Sequence, residues 1–161
     1  MSFTVRPLEA KDASWLTGFM TERWGVPVAA GGGRLHRLDD LPGFAAVSAD
    51  DAVAGVVTYL IEADACEVVS IDALAQGQGV GTALLEAACE AAAAAGCRRV
   101  WLITTNDNVD ALRFYQRRGF ALTELRPRAV GESRRLKPQI PLVGAYGIPI
   151  RDELVLLREL P

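Results

Sequence analysis

The chain has 161 residues, half of them hydrophobic and 23% charged, with 17 basic against 20 acidic side chains for a net charge of −3. That length suits one domain with a real core, residues 1–161, and the balance excludes a disordered or fibrous chain. Mild acidity argues against general nucleic-acid binding, which favours basic surfaces, and no apolar run reaches the roughly 18 residues of a membrane span.

Residues 3–8 alternate and read as a first strand, with Pro7 marking an edge or an end. A helical pattern opens near Lys11 and runs to about Arg23, with Trp15, Phe19 and Met20 near one face; Gly25 and Pro27 end it. Residues 25–43 read as a loop with a short helical turn around 34–40. The N-terminal stretch lacks the apolar core of a signal peptide, so a cytoplasmic protein is expected. Phe44–Ser48 is a short strand, and Val53–Ile61 is a continuous apolar strand that suggests burial on both faces. A turn at Glu62–Asp64 leads into Cys66–Leu74, so the two runs form a hairpin.

After Ala75 the chain reads Gln76-Gly77-Gln78-Gly79-Val80-Gly81, then a helix to about Ala95 with Gly96 beyond it. Glycines here free backbone N–H groups to converge, and the helix N-terminus adds the positive end of its dipole. This is an anion cradle suited to phosphate. A P-loop would need a Lys that this region lacks. A dinucleotide loop would need glycine where Thr82 stands. The acyl-CoA loop pattern [RQ]xxGx[GA] fits Gln76, Gly79 and Gly81 directly. A nucleotide site, or a plain strand-to-helix turn, stays open at this stage.

Arg98–Thr105 is a buried-type strand, Asn106–Arg118 a helix closed by Gly119, and Phe120–Leu125 a strand. Arg128–Lys137 reads as a short basic helix, 138–152 as a Pro/Gly loop and Glu153–Leu160 as the last strand. Leu154–Leu157 would complete a sheet within or between subunits, which allows a homodimer. The element order implies an α/β (α+β) fold. Cys66, Cys89 and Cys97 lack the spacing of a metal site or a disulfide framework, and no metal is expected. His36, the single histidine, lies in the glycine-rich loop and reads as surface or loop packing.

Asn108, Ala111, Phe114-Tyr115 and Gly119-Phe120, downstream of the glycine loop, carry a resemblance to the GCN5-related N-acetyltransferase (GNAT) family. It is strong over residues 53–126 and holds elsewhere in element order. The resemblance implies a mixed, mostly antiparallel central sheet flanked by helices. It also implies acetyl transfer from acetyl-CoA to a primary amine of a small molecule or peptide by direct attack in a ternary complex. A non-catalytic acyl-CoA-binding sensor or interaction module is the alternative. The cofactor residues it implies are Ile71 and Ala73 through the backbone, Gln76, Gly77, Gln78, Gly79, Val80, Gly81 and Thr82 in the cradle, and Asn108, Ala111 and Phe114. Asn108 also reads as a helix N-cap. Tyr115, whose phenol has a pKa near 10, is implied as the acid for the departing thiolate, and Glu67 as the base. Here Ala73-Leu74-Ala75 leads straight into Gln76, shorter than the family's usual connection. Glu62, Asp64 and Asp72 read as turn or surface residues, Asp107 and Asp110 as solvated or capping. Trp24–Pro27 and Gly144–Gly147 are expected to line the acceptor site. Arg134–Lys137 reads as a grip for an anion or as a solvated helix face.

Overall fold

The apolar runs become neighbouring strands of one sheet in the computed structural model, which describes residues 2–161. β1 (Phe3–Pro7), β4 (Gly43–Ser48), β5 (Val53–Glu62), β6 (Ala65–Ala73), β7 (Arg99–Thr105), β9 (Glu153–Glu159) and β8 (Ala121–Arg126) lie in that spatial order. Every pairing is antiparallel except β6 with β7. The expected mixed, mostly antiparallel sheet is present, with β1 and its Pro7 at one edge. The last strand is interior: β9 pairs with β7 and β8 of the same chain.

Side chains alternate faces along a strand, so Val56 and Val57 of β5 enter two different apolar layers. On one face lies α2 (Val80–Ala94), whose Val80, Leu84, Ala88 and Ala92 recur every four residues and are buried with Leu85 and Cys89. On the other lies α1 (Ala13–Trp24), burying Leu16 and Met20 with Leu38. Trp15 and Phe19 pack partly buried on that layer. Asp12 fixes the start of α1. It is buried and accepts hydrogen bonds from Arg6, from the Glu9 N–H and from the Trp15 indole, at 2.7–2.9 Å. Gly25, at φ 84°, ends the helix.

The segment 25–43 differs from the expected loop. It builds a second, small hairpin of β2 (Val28–Gly31) and β3 (Arg34–Arg37), followed by a 3₁₀ turn at Leu38–Asp40. Gly32 and Gly33 both take positive φ, 60° and 76°, the backbone that a two-residue hairpin turn demands. The four-residue strands are too short to show a period in sequence.

Two irregularities of β6 open the middle of the sheet. Opposite β5, Thr58 pairs with Ser70 and Tyr59 with Val68, so Val69 is an extra, bulged residue. Opposite β7, pairing covers only Ala65–Glu67 against Arg99–Trp101. Beyond that point the two strands part.

The C-terminal half closes around α3 (Val109–Gln116) and α4 (Val130–Leu136). The basic stretch 134–137 is divided: Arg135 stays on an exposed face, whereas Arg134 and Lys137 are used within the fold. Arg134 donates to the carbonyls of Ile140, Pro141 and Ile150. Lys137 is buried, with Nζ 5.1 Å from the Trp24 ring centroid. Gly144–Gly147 is tied to the start of α3. The buried Asp107 accepts from the Ala145 N–H at 3.0 Å and from the Thr105 hydroxyl, and the Tyr146 hydroxyl donates to Asp110 at 2.8 Å. Gly144–Gly147 line none of the cavities described next, contrary to the sequence-based expectation.

Candidate active site

The parted strands leave room for three adjoining cavities. The largest, about 530 Å³, is a groove over the N-terminus of α2. Gly77 and Gly79 take φ 74° and 78°, which side-chain-bearing residues rarely adopt. A Cβ built on either would meet nothing within 4 Å, so the loop presents bare backbone to the groove. The N–H groups of Val80, Gly81 and Thr82 have no carbonyl one helical turn before them. Gly81 lies beside α3, where a Cβ would touch the Phe114 ring at 3.4 Å.

The lining of the groove includes Ile71, Ala73, Gln76, Gly77, Gly79, Val80, Gly81, Thr82, Asn108, Ala111, Phe114 and Tyr115, all expected from the sequence, and also Ala75 and Asp110, which were not. Gln78 is exposed in the same loop and is not part of the lining. Sequence reading missed Arg118. Its guanidinium lies 3.9 Å over the Phe114 ring, donates to the Thr82 hydroxyl at 2.9 Å and brings a positive charge to the groove. The signal was available: Arg118 stands one helical turn beyond Phe114.

Asn108 accepts from the Ala111 N–H at 3.4 Å, the cap geometry expected of it, and donates to Thr104. It lines all three cavities. The second cavity, about 220 Å³, fills the gap between β6 and β7 and is walled by Trp24, Val69, Asp72, Ile103 and Tyr115. Leu74 donates its N–H to the Ala54 carbonyl at 2.9 Å. By the alternation of an antiparallel ladder, the Ile71 and Ala73 N–H groups then point away from β5, into the gap. Tyr115 borders both groove and gap. It is only 6% exposed, and burial raises its pKa, so the phenol keeps its proton.

Asp72, expected at the surface, forms part of the wall. Burial raises its pKa, opposed by the Trp24 indole, which donates at 2.8 Å, and by Arg23 at 3.5 Å. Trp24 therefore belongs to the cavity wall.

The third cavity, about 170 Å³, adjoins the second along Trp24, Val69, Ile103, Thr104 and Asn108 and contains Glu67, His36, Gly31 and Glu153. Glu67 is buried, and loss of hydration pushes its carboxyl up to about 7; Arg34 and Arg126 oppose this. His36 sits on β3 with its pKa lowered by burial. Glu153 accepts from the Gly32 N–H and the Ser133 hydroxyl. The structure thus places Glu67 in the third cavity and Tyr115 at the border of the first and the second. It adds His36 and Glu153, for which a lone histidine and a strand-leading glutamate gave no sequence signal.

The pattern of the acetyltransferase (GNAT) family matches residues 9–120. The chain is similar to the uncharacterized protein YdhI of Bacillus subtilis (strain 168), 46% identical over 87% of this chain and 88% of that one. Its fold is that of an IAA acetyltransferase from Bacillus cereus ATCC 14579, at TM-score 0.71 and 22% identity over 99% of this chain and 100% of the other. It is also that of a GNAT family acetyltransferase from Elizabethkingia anophelis solved with acetyl-CoA bound, at TM-score 0.69 and 18% identity over 98% of each chain.

Proposed function

The chain belongs to the acetyltransferase (GNAT) family, and we propose that it transfers the acetyl group of acetyl-CoA to a primary amine of a small molecule or peptide by direct attack. The observation that carries this reading is the row of adjoining cavities: a backbone-lined anion cradle at one end, a raised carboxyl at the other, and a buried phenol between them.

In this reading the N–H groups that open α2 hold the diphosphate of CoA, with Arg118 adding positive charge beside them. The pantetheine chain runs past Ala111 and Asn108. The Ile71 and Ala73 N–H groups polarise the thioester carbonyl in the gap, where water is scarce and fixed dipoles act strongly. A primary ammonium has a pKa near 10.4 and must lose a proton before it attacks. Glu67, poised near neutrality, takes it. The amine nitrogen bonds the carbonyl carbon, the C–S bond breaks, the thiolate takes the Tyr115 proton, and the proton shed by the acylated nitrogen returns to Tyr115 to leave the amide and the free thiol.

The test is CoA release from acetyl-CoA with a panel of spermidine, tryptamine, amino acids and peptide N-termini, with the acetylated product identified by mass. Amine-dependent release supports the enzyme. Tight CoA binding with no release for any amine would leave a non-catalytic acyl-CoA-binding module instead.

A further inference from the structure

Two charged side chains line the groove over α2, and they stand at opposite ends of α3: Asp110 in its first turn and Arg118 just past its end. Roughly two helical turns, about 11 Å, lie between them. Arg118 is held in place from several sides. Its backbone N–H donates to the Tyr115 carbonyl at 2.9 Å. Nε donates to the Thr82 hydroxyl at 2.9 Å and Nη1 to the Phe114 carbonyl at 2.8 Å, with the guanidinium 3.9 Å over the Phe114 ring. Nη2 takes part in neither bond. Arg113 and Arg158 pair with Asp110 and Glu86, whereas Arg118 has no carboxylate partner among the described residues. The groove therefore carries a cation that is oriented, half-buried and not neutralised.

A guanidinium fixed in this way suits an oxyanion, because its remaining donors are already aimed. The Thr82 oxygen accepts from Nε, so its own hydrogen points elsewhere and can be donated. Coenzyme A carries a diphosphate and a third phosphate on its ribose 3′ oxygen. The N–H groups of Val80, Gly81 and Thr82 serve the diphosphate in the reading above, which leaves the third phosphate to side chains. The charge pattern of the groove gives its direction. From the gap outward, α3 presents Asn108, Ala111, Phe114 and then Arg118. The uncharged pantetheine passes the Asp110 end, and the nucleotide, which lies beyond the diphosphate, falls at the Arg118 end. Arg134 and Lys137, basic residues used within the fold, do not line this groove.

Resting on the acetyl-transfer reading above, we propose that Arg118 takes the 3′-phosphate of coenzyme A and makes this chain select 3′-phosphorylated donors over 3′-dephospho-CoA. Thr82 is a positioning residue in this selection: its hydroxyl holds Nε and so aims Nη2.

The test is calorimetry of the full chain with CoA and with 3′-dephospho-CoA at low ionic strength. The wild-type protein is expected to bind CoA about tenfold or more tightly than dephospho-CoA, as a charged hydrogen bond would give. Added salt is expected to shrink that ratio, because the guanidinium is only half-buried. Arg118→Gln is expected to bring the ratio to about one by weakening CoA far more than dephospho-CoA, with circular dichroism unchanged. Thr82→Val is expected to lower the ratio in part, and Thr82→Ser, which keeps the hydroxyl, to retain it. Should Arg118→Gln not fold, Arg118→Lys, which keeps the charge and loses the fork, reads the same ratio and is expected to lower it. Equal affinities in the wild-type protein, a preference that survives in the Arg118 variant, or an equal weakening of both ligands would overturn the assignment. Failure of the wild-type protein to bind either ligand would instead count against the acetyl-CoA reading itself.

Discussion

The Trp24 indole donates to the Asp72 carboxylate at 2.8 Å, joining the last residue of α1 to the strand that opens the sheet. This bond holds the wall shared by the two inner cavities. Trp24→Phe is expected to destabilise the protein by about 1–3 kcal/mol, because it strips a donor from a largely buried carboxylate. Asp72→Asn, which still accepts from the indole, is expected to cost less. Urea midpoints of the three proteins check the order.

Tyr115→Phe removes the phenol from the border between groove and gap and leaves the ring contacts with Phe114 and Phe120. Turnover is expected to fall about 100-fold, within the range for loss of a general acid, with acetyl-CoA affinity unchanged. Single-turnover rates and calorimetry separate the two quantities. Equal rates would remove Tyr115 from the acid's role.

Gly79→Val places a β-branched residue at φ 78°, a region such residues avoid, and projects its side chain from the cradle. CoA binding is expected to be lost while circular dichroism keeps the helical content. Unchanged affinity in the folded variant would displace the diphosphate from this loop.

Glu67 has its carboxyl pushed up to about 7, so the basic form appears only as pH rises through that value. The rate is expected to climb through about pH 7 and level off above it, and Glu67→Gln is expected to lose this limb. Stability runs the other way. The folded state holds this proton to higher pH than the unfolded chain. The contribution is therefore present below the ordinary carboxylate range and lost as pH rises to about 7. Denaturant midpoints at about pH 5 and about pH 8, with Glu67→Gln as control, check the sign.

Asp107→Ala removes the acceptor for the Ala145 N–H and the Thr105 hydroxyl. The segment 138–152 is expected to become more open to protease, with a stability loss of about 1–3 kcal/mol. Limited proteolysis followed by mass spectrometry locates the cut. A Cβ at Gly144 would collide with the Asp107 carboxylate, so Gly144→Ala is expected to loosen the same segment.

What could be read from the sequence was local. The turn at Gly77 and Gly79 and the cap at Asn108 are set by backbone requirements within a few residues, and only glycine or a capping side chain meets them cheaply. The helix ends at Gly25, Gly96 and Gly119 follow the same rule, each at φ between 84° and 89°. The strands could be read as apolar runs, although their order could not: β9 lies between β7 and β8, a choice made by long-range pairing. The hairpin β2–β3 escaped because four-residue strands carry no period. Tertiary structure alone brought His36 to Glu67, turned Asp72 and Asp107 inward and consumed Arg134 and Lys137 within the fold. Their chemistry depends on burial and on partners distant in sequence, and neither is written in the spacing of residues. The groove over the N-terminus of α2 was therefore legible in one dimension, whereas the cavity between β6 and β7 exists only once the sheet has parted there.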